Sequence, residues 1–303
     1  MILATISLTL MPLSLALSPT DAPRGLDLRV ASFNVRFATA DDGENRWEKR
    51  RDLLFATIRK LSPDVLGLQE ALHDQLGEIL KAVPGYESVG VGRDDGATKG
   101  ELAPLLFRAE RFRLAESGTF WLSDTPEVVA STSWGNKTTR VCTWARLIDK
   151  ASSDVVVVFN VHLDHQSQRA RERGVELVAR KLLEHAKTAP ALYIGDFNAA
   201  EDNPAVRYIK GELLRASSDG STAPPALRLV DTFRVLHPDV KDVATFHAFT
   251  GRTQGSKIDY IFAPPEARVL EAEIVRESKD GKYPSDHFPV TARVVLPITA
   301  RAR

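Results

Sequence analysis

The chain has 303 residues, 43% of them hydrophobic and 26% charged, and its 40 basic and 40 acidic side chains cancel to a formal charge of zero. That is enough apolar sequence for a sizeable core, and an α/β domain of this length need not split, so one domain is expected. Zero net charge excludes a global field drawing the protein to nucleic acid or anionic membrane, and the lone Cys142 excludes an intrachain disulfide or a cysteine metal cluster.

The first stretch, MILATISLTLMPLSLALSPTDAPRG, is apolar to Leu17 and then small and Pro-rich. It reads as a secretory signal peptide and short mature segment over 1–23, leaving 24–303 as the folded domain and a secreted or periplasmic location. An uncleaved anchor and a mis-called start are the alternatives. The apolar run carries no preceding Lys or Arg and is shorter than a spanning helix of about 20 residues, so no stable membrane span is expected after processing.

From Leu28 onward short apolar runs alternate with helical stretches, the habit of an α/β protein. LRVASFNVRF reads as a strand, RWEKRRDLLFATIRKL as an amphipathic helix, and DVLGLQE as a buried strand entered through Pro63. A helix near 73–83 follows, then strands around 86–91, 103–108, 112–122 and 141–149, which implies antiparallel as well as parallel neighbours. DVVVVFNVHL is a further strand, 168–187 a long helix, and ALYIGD a strand. KIDYIFA, RVLEAEIVR and FPVTARVVL are the last strands, and 210–225 is the most loop-like region.

FNVRF at 33–37 is echoed by FNVHL at 159–163, each followed by an Arg-rich helix, a proline and a strand. Asn34 to Glu70 and Asn160 to Asp196 are equal separations. The echo is read as an internal repeat: two sheets packed face to face about a pseudo-twofold axis, with Glu70 and Asp196 as partners across it. Polar residues just past the carboxyl ends of strands sit where α/β proteins bind ligands. Asn34, Glu70, Asn160, His162, Asp196 and Asn198 hold such positions, Asp259 lies in KIDYIF, and Asp286 with His287 begins the last strand.

In order, SFNVRF, LGLQE, NVHLDH, IGDFNA, KIDYIF and PSDHFPV resemble the signature of the endonuclease/exonuclease/phosphatase family, from Val30 to Val295. GRDDG, GTFWLS and HLDH are most similar to a bacterial branch related to deadenylase-type exonucleases. The resemblance implies a four-layer α/β sandwich, two packed mixed sheets flanked by helices, and a divalent-metal-dependent phosphoester hydrolase. Hydrolysing a phosphate anion needs a cation on its oxygens, an oriented water and charge stabilisation, and hard oxygen ligands suit Mg²⁺ or Mn²⁺. Glu70 is the first metal ligand by this logic, with Asn34 beside it and Asp286 at the metal or its shell. Asp196 orients or deprotonates the water and Asn198 donates to the phosphoryl group. The resemblance places Asp259 against His287, and Glu101 against His162, a phosphate contact or leaving-group acid; both imidazoles are then expected to be charged.

Arg140, His247 and Asn160 are expected as substrate contacts. Trp121 and Trp134 could stack on a base or pack in the core, and Arg50 and Arg51 could reach a phosphate or serve their helix. A nuclease, 3′-5′ exonuclease-like and acting on single-stranded nucleic acid, is the first substrate reading. A phosphatase or phosphodiesterase on a small molecule or lipid headgroup is the alternative. A noncatalytic binding protein would need a broken site, and the motif set is whole; no obligate protein partner is inferred.

Overall fold

The computed structural model describes residues 25–216 and 227–298; the signal-peptide reading of 1–23 and the loop reading from 217 to 225 fall outside them. The first strand, β1 (Gly25–Asn34), stops where Arg36 turns into the left-handed region at φ 54°. Helix α1 (Trp47–Leu61) then buries Trp47, Arg50, Leu54, Phe55 and Ile58, one stripe of an amphipathic cylinder. It ends at Ser62, left-handed at φ 45°, just before Pro63. Strand β2 (Val65–Gln69) is buried at every position, as suits a parallel strand covered on both faces.

Helix α2 (His73–Ala82) leads to β3 (Tyr86–Val89) and β4 (Leu105–Arg108). The second half runs β5 (Phe112–Trp121), β6 (Val141–Asp149), β7 (Val155–His162), α3 (Gln168–Ala186) and β8 (Ala191–Asp196). Short α4 (Pro204–Ile209), β9 (Val230–Asp231) and α5 (Thr232–Leu236) precede β10 (Asp259–Ala263), β11 (Arg268–Ile274) and β12 (Val290–Pro297).

The strands form two six-stranded sheets, ordered β11-β12-β1-β2-β4-β3 and β5-β6-β7-β8-β10-β9. Read across, both sheets have one parallel pair, β1 with β2 and β7 with β8, and antiparallel pairs elsewhere. Both carry a register shift in the outermost strand on the same side, at Val269/Glu271 and at Leu114/Glu116. This strand-for-strand match is the pseudo-twofold expected from the echo.

One apolar core lies between the sheets, where Val30, Val65 and Phe107 meet Val156, Leu192 and Ile261. A second joins the first sheet to α1 and α2, and a third joins the second sheet to α3 and α4, which makes the four layers.

Asn160 fastens the sheets together instead of facing a substrate. Its Nδ2 donates to the carbonyls of Leu68 (2.8 Å) and Pro104 (2.9 Å), and its Oδ1 accepts from Gln69 Nε2 (2.7 Å), so the residue is fully buried and committed. Gly67 makes room for it, since a Cβ there would stand 2.7 Å from Asn160 Oδ1.

The echo hides a register difference. Asn34 lies opposite Gln69, whereas Asn160 lies opposite Ile194. Glu70 is thus one residue past its partner position and Asp196 two past, so they are not strict equivalents across the axis.

Candidate active site

The carboxyl ends of β1, β2, β7 and β8 open on one cleft of about 370 Å³, and both halves of the molecule line it. Three residues just beyond these strands, Arg36 (φ 54°), Glu70 (φ 60°) and Asn198 (φ 46°), occupy the left-handed region, which costs a non-glycine residue on the order of 1 kcal/mol or more. Local hydrogen bonds hold two of these turns: Arg36 N–H donates to Asn34 Oδ1 (3.0 Å) and Asn198 N–H to Asp196 Oδ1 (2.9 Å).

Asn34 is buried beneath the cleft. Its Nδ2 donates to Glu70 Oε1 and to Asp196 Oδ2, both at 3.0 Å, so one amide ties the acid of the first sheet to that of the second. Glu70 and Asp196 do meet, through this bridge. With its oxygen accepting from Arg36 N–H and its nitrogen donating to two carboxylates, Asn34 stands beside the expected metal ligand Glu70 and orients it.

Asp196 is 1% exposed, and burial, helped by the charge of Asp259, pushes its carboxyl up to about 7 against the opposing pull of His287, Asn34 and the Asn198 N–H. Two imidazoles face Asp196 Oδ2, His162 Nε2 at 3.6 Å and His287 Nε2 at 3.9 Å. They differ in character. His287 Nδ1 donates to Asp259 Oδ2 at 2.9 Å; burial alone would depress it, but Asp259, Asp196 and Asp286 together raise it to about 10.

His162 is not held by Glu101. Its Nδ1 accepts from Arg140 Nη1 at 3.0 Å, while Glu101 Oε2 stands 3.7 Å away, and the two oxygens of that carboxylate each accept from one arm of Arg93 (2.7 and 2.9 Å). Burial, then the charges of Arg140 and Arg93, push His162 well below the usual histidine value. It is neutral, with its proton on Nε2, and the expectation of a second charged carboxylate–histidine pair is overturned. His165 is held alike, its Nδ1 accepting from Arg140 Nη2 at 2.8 Å.

The cleft wall holds Glu70, Glu101, Arg140, His162, Asp196, Asn198, Asp286 and His287 of the residues expected from sequence. Asp259 lies behind His287. His247 is packed elsewhere, stacked 3.9 Å from Phe288 and held by burial at about 4. Trp121 is buried with its N–H on the Arg93 carbonyl, and Trp134 donates to Asp124. Arg50 clamps the carbonyls of Val35, Arg36 and Pro284, and Arg51 pairs with Glu78 on the surface. Arg36, Phe37, Arg93, Thr138, His165 and Phe246 also line the cleft and were not anticipated. Arg36 had a signal: in the echo it stands where FNVHL has His162.

The donor set suits a hard divalent cation. Glu70 and Asp286 present carboxylate oxygens to the cleft, and burial together with the charge of Glu70 raises Asp286, crowding that a cation relieves. Asp196, Asp259 and His287 also cluster, with ligand atoms within 4.8 Å of one another. There, however, Asp259 lies behind His287 and is engaged by its Nδ1, whereas Glu70 and Asp286 both open on the cleft, which makes them the better pair.

The description of the Endonuclease/Exonuclease/phosphatase family matches residues 31–287, nearly all of the described chain. This chain belongs to that family. A family protein from Bacteroides vulgatus is 32% identical, with a TM-score of 0.78 over 89% of this chain and 99% of that one. A mannosyl-6-phosphatase from Bacteroides thetaiotaomicron is 30% identical, with a TM-score of 0.76 over 89% and 100%. Protein angel of Drosophila melanogaster is 23% identical over 223 residues, 71% of this chain but only 58% of that protein. As a member of the family, the chain is a metal-dependent hydrolase of phosphoric esters.

Proposed function

We propose that this cleft hydrolyses a compact phosphoester, a small-molecule phosphate or phosphodiester, with Mg²⁺ or Mn²⁺ held by Glu70 and Asp286. The observation that carries the reading is the convergence on Asp196, a buried carboxylate flanked by one charged and one neutral imidazole inside a 370 Å³ cleft. When bound, the cation neutralises phosphoryl charge. Asp196 takes a proton from the attacking water as the new P–O bond forms and the ester P–O bond breaks, the leaving oxygen departing with the bond's electron pair and taking a proton from solvent. The His287 imidazolium, fixed by Asp259, supplies charge opposite the developing anion, while the His162 Nε2–H and the second amide hydrogen of Asn198 donate to phosphoryl oxygens.

The small cleft, the zero net charge and the likeness to a sugar-phosphate phosphatase favour a compact substrate. The end of a single-stranded nucleic acid is the second reading, favoured by Phe246, 40% exposed at the rim and able to stack on a base. The apolar start of the chain supports action outside the cytoplasm, secreted or periplasmic, which fractionation of the producing cell would check.

The test is to strip the protein with EDTA, restore Mg²⁺ or Mn²⁺, and assay p-nitrophenyl phosphate, bis-p-nitrophenyl phosphate, single-stranded RNA and DNA, and sphingomyelin in parallel. Small esters should turn over at least 100-fold faster than the polymers, a gap of about 2.7 kcal/mol. The reverse order, or recovery with zinc alone, would overturn the proposal.

A further inference from the structure

Three arginines line the cleft, and in two of them both terminal nitrogens are engaged. Arg93 gives both arms to Glu101, and Arg140 gives its two to His162 and His165. Arg36 differs. Its Nε and Nη2 clasp Asp42 at 3.0 and 2.9 Å, and among the described residues Nη1 makes no hydrogen bond; its nearest carboxylate is Glu70 Oε2, at 3.9 Å. Nε is also 3.8 Å from Asp286 Oδ2, so the guanidinium lies beside both proposed metal ligands without bonding either.

The group is rigidly placed. The Phe37 ring lies 4.7 Å beneath its carbon, the Arg36 N–H is tied to Asn34, and the Arg36 carbonyl accepts from Arg50 Nη2 (2.7 Å) and Gln75 Nε2 (2.9 Å). Such a tether fixes a cation whose remaining arm is free to meet an anion, the arrangement that planar guanidinium recognition exploits.

A phosphomonoester near neutral pH carries about two negative charges on three terminal oxygens; a diester carries one on two. The third oxygen and second charge are what a cation additional to the metal and His287 can recognise. Resting on the proposed hydrolytic reading of this cleft, we infer that Arg36 is a specificity-determining residue that selects phosphomonoester dianions over diesters through its free Nη1. A cation so close to Glu70 and Asp286 also opposes metal binding, so neutralising it weakens that binding only if the arginine holds the two carboxylates in place.

The experiment compares wild type with Arg36→Gln and Arg36→Lys. It measures kcat/KM on p-nitrophenyl phosphate and bis-p-nitrophenyl phosphate, calorimetric binding of inorganic phosphate, and Mn²⁺ affinity. Arg36→Gln should lose about 10²-fold on the monoester and less than about 5-fold on the diester, the scale of one charge-assisted contact. Phosphate binding should weaken at least tenfold, Mn²⁺ should bind as tightly as in wild type or more so, and Arg36→Lys should fall between. Equal losses on both esters, or unchanged phosphate binding, would overturn the inference. Weakened Mn²⁺ binding in both variants would overturn it too, by making Arg36 a scaffold residue. Should wild type bind phosphate but cleave neither ester, the hydrolytic reading fails by itself, and phosphate binding by Arg36→Gln still decides the role of Arg36.

Discussion

The two sheets share strand order, pairing and even the position of an edge bulge, yet their contributions to the cleft are chemically unlike. On one side Asp259 backs His287, and the imidazole stays charged up to about 10. Opposite it, Arg140 caps His162 from the same ring nitrogen, and the imidazole stays neutral. The two histidines are not repeat equivalents, since His162 ends β7, where the echo has Arg36, and His287 precedes β12; both reach one carboxylate, and the partner behind each ring decides whether it serves as a charge or as a neutral donor. Asp196 between them belongs to neither pair and is served by both.

Removing that shared group should do the most. Asp196→Asn is expected to lower kcat by about 10³-fold with calorimetric Mn²⁺ binding intact; wild-type turnover would show that the imidazoles do not converge on a working base. Because burial raises this carboxyl to about 7, its ionised form is lost as pH falls through that value, and activity should fall with it on the acid side.

The charged side comes next. His287→Ala should cost about 10²-fold. Loss of its imidazolium defines the alkaline limb, which falls as pH rises through about 10 in wild type. Asp259→Asn removes a charge that holds the proton on, so burial then dominates and the limb should move to lower pH; a pH–rate profile reads this directly.

The neutral side is expected to matter less. His162→Ala should lower kcat about tenfold, the loss of one hydrogen-bond donor of roughly 1.4 kcal/mol, and Glu101→Gln should leave the alkaline limb where it is. A shifted limb in Glu101→Gln would make the two sides equivalent after all.

The smallest effect on chemistry belongs to the sheet fastener. Asn160→Ala strands the carbonyls of Leu68 and Pro104 and should cost about 1–3 kcal/mol of stability in a urea titration, with kcat of the folded protein unchanged.

Most strands were legible because apolar runs end in polar residues that have no reason to be there except a cleft, as in GDFN and LGLQE. The short α4, β9 and α5 were missed, being too brief for periodicity to register, although Asn203 followed by Pro204 is a helix-start signal and its side chain does cap α4. Glu70, Asp196 and His287 were readable from their positions. The neutrality of His162 was not, because Arg140 bonds to it from just before the neighbouring strand and Arg93 adds its charge from a loop, a juxtaposition that tertiary packing alone creates. Equal spacing in the echo likewise concealed the one-residue register difference, since sequence counts residues and sheets count pairs.

Asn34 carries a consequence for how the enzyme fails. Its single amide nitrogen spans the seam between the sheets, so the proposed metal ligand and base are aligned by the same joint that closes the interior. Sliding one sheet past the other by an ångström parts Glu70 from Asp196 while every helix remains intact. Heat or denaturant should then silence the cleft at the moment the seam loosens, ahead of any loss of helical signal, making turnover the more sensitive gauge of sheet alignment.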